Sequence, residues 1–297
     1  MPIESPIECP DELIPGFLPA KGQLVIAGET NIGKSLIALE ICSSLLTEAP
    51  LWGSLQPKRG VKKALYILAE HHTGTLQELW AKTGLPAPSK SLWVVGPHEF
   101  HDHHLVARGM IQPQVRANLL EWSTGCDLVV YDPLSAFIRG ENVENDNAQM
   151  RLVVDTLTNI ANDNGAGCVI LAHIGKPGLE EAPKRDYRIR GASAVEDAAS
   201  AIFYMEQGSQ PDIFTLRRRK YKGPQEPKTY SLVRDSATLT HTLFHGRRPL
   251  GIQRAEFLAK LKKEPFASMP PTDAVRQLCE LEGVGERTGW AWLQAQT

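Results

Sequence analysis

Residues 28–35 read Gly28-Glu29-Thr30-Asn31-Ile32-Gly33-Lys34-Ser35, between the apolar run Gln23 to Ala27 and a helix-like stretch, Lys34 to Leu46. The glycines let the backbone curl so that successive N–H groups point inward. The helix that follows adds free N–H groups and the positive end of its dipole. The segment fits G-x-x-x-x-G-K-[ST], a pattern expected by chance about 0.01 times in a chain of this length. Its physics is that of an anion cradle. It predicts a phosphate-binding loop, with Lys34 neutralising β- and γ-phosphates and Ser35 holding Mg²⁺; the plain alternative is a glycine turn before a helix.

The rest of the chain tells where such a loop sits. Short apolar runs recur at Ala64 to Ala69, Leu92 to Val95, Leu128 to Tyr131 and Cys168 to Ala172, with Ile213 to Leu216 and Thr229 to Val233 as late strands. Helical patterns fall between them, around Val115 to Trp122, over 148–163 and from Ala192. Apolar strands alternating with helices predict an α/β fold with a parallel central sheet covered on both faces. Residues 1–20 read as an extended, proline-bearing lead-in, 21–245 as the main domain, and 250–297 as a small helical appendage.

Composition narrows the class. The 297 residues carry 32 Lys plus Arg against 34 Asp plus Glu, a net charge of −2. A protein that coats nucleic acid with its whole surface would be strongly basic, so any contact with DNA is local. No apolar run approaches the roughly 18 residues of a membrane span. The opening MPIESPIECPDELIP has acids and prolines where a secretory signal would be basic and then apolar. Five scattered cysteines without a CxxC pair suit a reducing, cytoplasmic setting.

Three strand ends supply candidate partners for the loop. Leu128-Val129-Val130-Tyr131 runs into Asp132, an acid placed to hold a metal through water, or else a turn or helix-capping Asp. Leu68-Ala69 runs into Glu70, which could orient and deprotonate water, or open a solvated loop. Val169 to Ala172 ends in His173, whose neutral imidazole could contact a terminal phosphate, or be a hydrogen-bonded strand end.

The segments GETNIGKS, YILAEH, VVYDPLSAFIRGENVENDNAQM, VILAHIGKP and RIRGASAVEDAA, over about 16–234, together resemble RecA-like hexameric ATPases, and most closely the RepA-type replicative helicases of plasmids and phages. The resemblance implies a RecA-like P-loop NTPase core of AAA type acting as a hexameric ring, ATP and Mg²⁺ at subunit boundaries, and a hydrolase or helicase activity in DNA replication. It assigns Lys34 and Ser35 to the phosphate loop, Asp132 to the metal, Glu70 to catalysis and His173 to phosphate sensing. It makes Arg190 an arginine sent into the neighbour's ATP site. Relatives often carry Lys-x-Arg on a late strand; here Arg217-Arg218-Arg219-Lys220-Tyr221-Lys222 stands there, and Arg219 and Lys220 are the candidates.

The stretch 174–190 holds Lys176, Lys184, Arg185, Arg188 and Arg190 against three acids, and is long for a loop. It is the candidate grip on single-stranded DNA, with residues 211–250 as a second basic patch; a solvated surface is the alternative for both. Asp273 to Gln294 has the spacing of a helix-turn-helix, or of a protein-docking or ring-packing helix pair; a primase or replication initiator is a further expected partner. His98, His101, His103 and His104 form a surface-loop cluster without metal spacing. The expected function is an ATP-driven DNA helicase or translocase. The competing expectations are a DNA-binding regulatory or recombinase-like ATPase that does not unwind, and a small-molecule phosphotransferase.

Overall fold

The computed structural model describes residues 11–70, 73–86, 91–100, 106–107, 110–138, 146–174, 192–208, 211–222, 229–244, 257–258, 260–262, 265–282, 290–291 and 293–294. The chain divides into two units, residues 1–243 and 244–297.

The first unit is built on a sheet. In chain order its strands are β1 (Glu12–Ile14), β2 (Leu18–Pro19), β3 (Gln23–Gly28), β4 (Ala64–Leu68), β5 (Leu92–Val95), β6 (Val106–Ala107), β7 (Met110–Ile111), β8 (Leu128–Asp132), β9 (Gly167–His173), β10 (Ala201–Gln207), β11 (Ile213–Tyr221), β12 (Thr229–Arg234) and β13 (His241–Phe244). Its helices are α1 (Lys34–Thr47), α2 (Thr73–Thr83), α3 (Pro113–Ser123), α4 (Asn147–Asp163) and α5 (Ala192–Ala198). Among the described residues nine strands form one sheet, ordered β13-β12-β11-β10-β3-β9-β8-β4-β5. From β10 through β5 the pairs are parallel, while β10–β11 and β11–β12 are antiparallel.

The central strands are buried along their whole length because both faces are covered. Side chains alternate between two apolar layers with the period of a strand. Val25, Ala27, Leu65, Ile67, Val129 and Tyr131 join the layer of α3, α4 and α5. Leu24, Ile26, Tyr66, Leu68, Leu128 and Val130 join the layer of α1 and α2. Helix α1 buries nearly every side, Leu36 through Leu45 included. Helix α4 starts where the Asp146 carboxylate accepts from Ala148 N at 2.9 Å and Gln149 N at 3.1 Å.

Residues 11–20 differ from an extended lead-in. β1 and β2 form a small antiparallel hairpin that buries Leu13, Ile14, Phe17 and Leu18 in the α1 layer. The Phe17 ring lies 5.3, 5.0 and 5.7 Å from those of Trp52, Phe203 and Tyr230. Proline content hid this apolar pattern. Strand β10 was hidden too, since its run Ala201 to Met205 continues directly from the α5 sequence.

In the second unit, helix α6 (Pro271–Glu282) presents Val275, Leu278 and Cys279 to Phe257, with Leu261, Phe266, Trp290 and Leu293 around them. No helix among the described residues is long and apolar enough to cross a membrane.

Candidate active site

Parallel register gathers the strand ends on one edge. Gly28 lies beside His173, and Leu68 beside Asp132. Ala69 N donates to Asp132 O at 2.8 Å, so Glu70 leaves β4 next to the end of β8. This carboxyl edge is where open α/β sheets hold ligands.

Between β3 and α1 the loop turns through left-handed backbone at Asn31 (φ 62°) and Gly33 (φ 110°). A Cβ at Gly28 would stand 2.8 Å from Met205 O, so only glycine lets β3 pass β10 so closely. Helix α1 begins at Lys34 with Gly33 as its N-cap, and no side chain caps its first amides. The amides and the helix dipole therefore face the loop with positive charge.

Lys34 Nζ donates to Gly28 O at 3.0 Å and Glu29 O at 2.7 Å, and stands 3.2 Å from His173 Nδ1. Burial pushes its ammonium down to about 8, against the pull of Asp132, Glu29 and Glu70. Facing an ammonium, His173 Nδ1 accepts, which places the proton of the neutral ring on Nε2. Nε2 lies 4.0 Å from Glu70 Oε2. The other Glu70 oxygen accepts from Ser135 Oγ at 3.0 Å. Ser135, Glu70, His173 and Lys34 thus form one line across the strand ends.

Beneath that line, Asp132 is buried and accepts from the Tyr66 hydroxyl at Oδ2, 2.7 Å away. Burial and the Asp132 charge push the Tyr66 phenol well above its ordinary range. The residues fit a triphosphate with Mg²⁺. Ser35 and Asp132 offer the hydroxyl and carboxylate oxygens a hard cation takes. Lys34 is held by backbone carbonyls and an imidazole, weaker partners than a phosphate oxygen.

A family model described as an AAA domain matches residues 2–178, more than half of the chain. The chain belongs to this AAA-domain family. No curated protein matches it in sequence. Among solved structures, an ATPase domain superposes with a TM-score of 0.54 at 10% identity, covering 76% of this chain and 86% of the other. The RadB recombinase gives 0.50 at 15% identity, covering 76% and 92%. A KaiC-like protein from Pyrococcus horikoshii gives 0.49 at 14% identity, covering 80% and 100%. The AAA domain here has the RecA-like P-loop ATPase fold expected from its sequence.

Sequence reasoning named Gly28 to Ser35, Glu70, Asp132 and His173, and these residues lie along one edge of the AAA domain's sheet. Lys176, Lys184, Arg185, Arg188 and Arg190 lie outside the described residues, as do His101, His103 and His104. Arg219 and Lys220 are engaged within the chain. Arg219 Nε stands 3.8 Å from Glu196 Oε2, and Lys220 Nζ donates to the carbonyls of Glu196 and, at 2.9 Å, Asp197. Both therefore hold the end of α5. Tyr66 and Ser135 were missed; Ser135 sits three residues past Asp132, a spacing that could have flagged it.

Proposed function

We propose that this AAA domain hydrolyses ATP in a ring of copies, hexameric by its resemblance, and uses the cycle to move along or load onto single-stranded DNA in plasmid, phage or mobile-element replication. The observation that carries the hydrolytic part is the contact of Lys34 with His173 in line with Glu70 and Ser135. Lys34 leaves the carbonyls of Gly28 and Glu29 for the β- and γ-phosphates. Ser35 and Asp132 would hold Mg²⁺, which when bound offsets phosphate charge. Glu70, steadied by Ser135, orients a water and takes its proton. His173, released by the Lys34 ammonium, turns its Nε2–H toward the γ-phosphate and reports its presence to the chain that follows β9. Arg190 completes a neighbour's site by stabilising transition-state charge. Lys176, Lys184, Arg185 and Arg188 grip the phosphate backbone, so affinity for DNA falls with salt. A primase or replication initiator is a further partner in that replication.

Native mass, together with ATPase rate across protein dilution and with or without single-stranded DNA, tests this reading. The expected result is an assembly whose turnover rises with DNA and falls on dilution, with strand displacement in a forked-duplex assay. Stimulation without displacement would favour a DNA-binding ATPase that does not unwind. A monomer indifferent to DNA would overturn the reading.

A further inference from the structure

Tyr66 is fully buried in the middle of β4, on the sheet face that packs against α1. Its neighbours along that face, Ala64 and Leu68, are apolar. A phenol there costs free energy unless its hydroxyl is used. The register explains the use. Tyr66 pairs with Val130, and Asp132 lies two residues further along β8 on the same face, which puts the carboxylate diagonally over the ring. The hydroxyl donates to Asp132 Oδ2 at 2.7 Å.

We infer that Tyr66 is a positioning residue for the metal, acting through Asp132. This rests on the reading of Ser35 and Asp132 as the metal residues. The Tyr66 proton engages Oδ2 of Asp132, so the carboxylate is kept from rotating and Oδ1 would be the oxygen left for the metal. Phenylalanine would fill the same space and lose that hydrogen bond.

The test is Tyr66→Phe in the full chain, with mant-ADP binding followed by fluorescence in excess EDTA and in Mg²⁺. In the wild type, Mg²⁺ tightens binding. If it does not, the assignment of Ser35 and Asp132 falls, and the Tyr66 inference with it. In Tyr66→Phe, affinity in EDTA stays at the wild-type value while the Mg²⁺-dependent tightening drops about 10- to 100-fold. Equal tightening in both proteins overturns the role of Tyr66 and leaves Ser35 and Asp132 standing. An equal loss in EDTA and in Mg²⁺ marks a packing role and overturns it too. Should the variant fail to fold, 3-fluorotyrosine placed at position 66 keeps the phenol. Its ¹⁹F resonance in the ADP-saturated protein moves when Mg²⁺ is added; a resonance that stays put overturns the inference.

Discussion

Lys34 Nζ stands 3.2 Å from His173 Nδ1, across two neighbouring strand ends. The same ammonium that is shaped to receive phosphate is therefore in contact with the side chain read as the phosphate sensor. Phosphate and imidazole compete for one cation, so filling the loop releases the histidine without any rearrangement of the sheet. Lys34→Ala removes the cation for which they compete. ATP turnover should fall at least about a hundredfold, the cost typical of losing a preorganised charge at a transferring phosphate. A phosphate-release assay on the purified variant reads this; near-normal turnover would dismiss the loop assignment.

Burial holds Lys34 at about 8, so binding should depend on pH in a defined window. Of the two forms of Lys34, only the ammonium attracts phosphate. Below pH 8 it is already present, and affinity is flat with respect to this group. A bound nucleotide phosphate gives Lys34 an anionic partner and raises the value, so above pH 8 binding draws a proton from solution. Affinity for ADP should then weaken by up to about tenfold per pH unit. Titration calorimetry in buffers of different ionisation enthalpy should show proton uptake at pH 8.5 and none from Lys34 at pH 7.

Glu70 and Ser135 separate chemistry from positioning. Glu70→Gln keeps the shape but cannot take a proton, so kcat should fall about 10²- to 10⁴-fold with ATP still bound. Ser135→Ala leaves the base in place and removes only the 3.0 Å bond that aims it. Its kcat should drop about tenfold, the worth of one hydrogen bond to a charge. Single-turnover kinetics with nucleotide binding measured separately distinguishes the two; equal kcat losses would put Ser135 in a different role.

The strands around this site were readable because parallel strands covered on both faces become continuous apolar runs: Leu24 to Ala27, Leu65 to Leu68 and Val129 to Tyr131 show it without ambiguity. The strand-end acids and His173 followed from the same reading. What stayed hidden depends on register and distance. That Tyr66 serves Asp132 requires knowing that β4 lies beside β8 in parallel. That Phe17 belongs to the core requires the hairpin of β1 and β2. Arg219 and Lys220 read from sequence as candidate cations for a neighbour's site, and only the antiparallel pairing of β11 with β10 reveals that they also contact α5 of their own chain.

Arg190 is a claim about two copies of the chain, and mixing tests it. Arg190→Ala should assemble normally yet hydrolyse slowly. Combined with Lys34→Ala, which spoils its own site while still carrying Arg190, part of the turnover should return. Restored activity in mixed assemblies of matched size is the expected outcome. Additive, unrestored rates would confine Arg190 to its own subunit.

Glu40 joins α1 to β13 across 201 positions of sequence. Its Oε1 accepts from His241 N at 2.6 Å, and its Oε2 accepts from Trp52 Nε1 at 2.9 Å and faces His241 Nδ1 at 3.1 Å. Both Glu40 and His241 are buried, so water cannot replace the carboxylate if it is removed. Glu40→Ala would strand those donors in an apolar layer beside Phe214, whose ring lies 5.5 Å from the imidazole. Each stranded donor costs about 1–3 kcal/mol, so the domain should lose about 3 kcal/mol or more. Urea unfolding should show a lower midpoint with an unchanged slope, and nucleotide should recover part of the loss by binding the folded state. A midpoint within error of the wild type would mean that α1, and the phosphate loop at its start, does not depend on the last strand of the sheet.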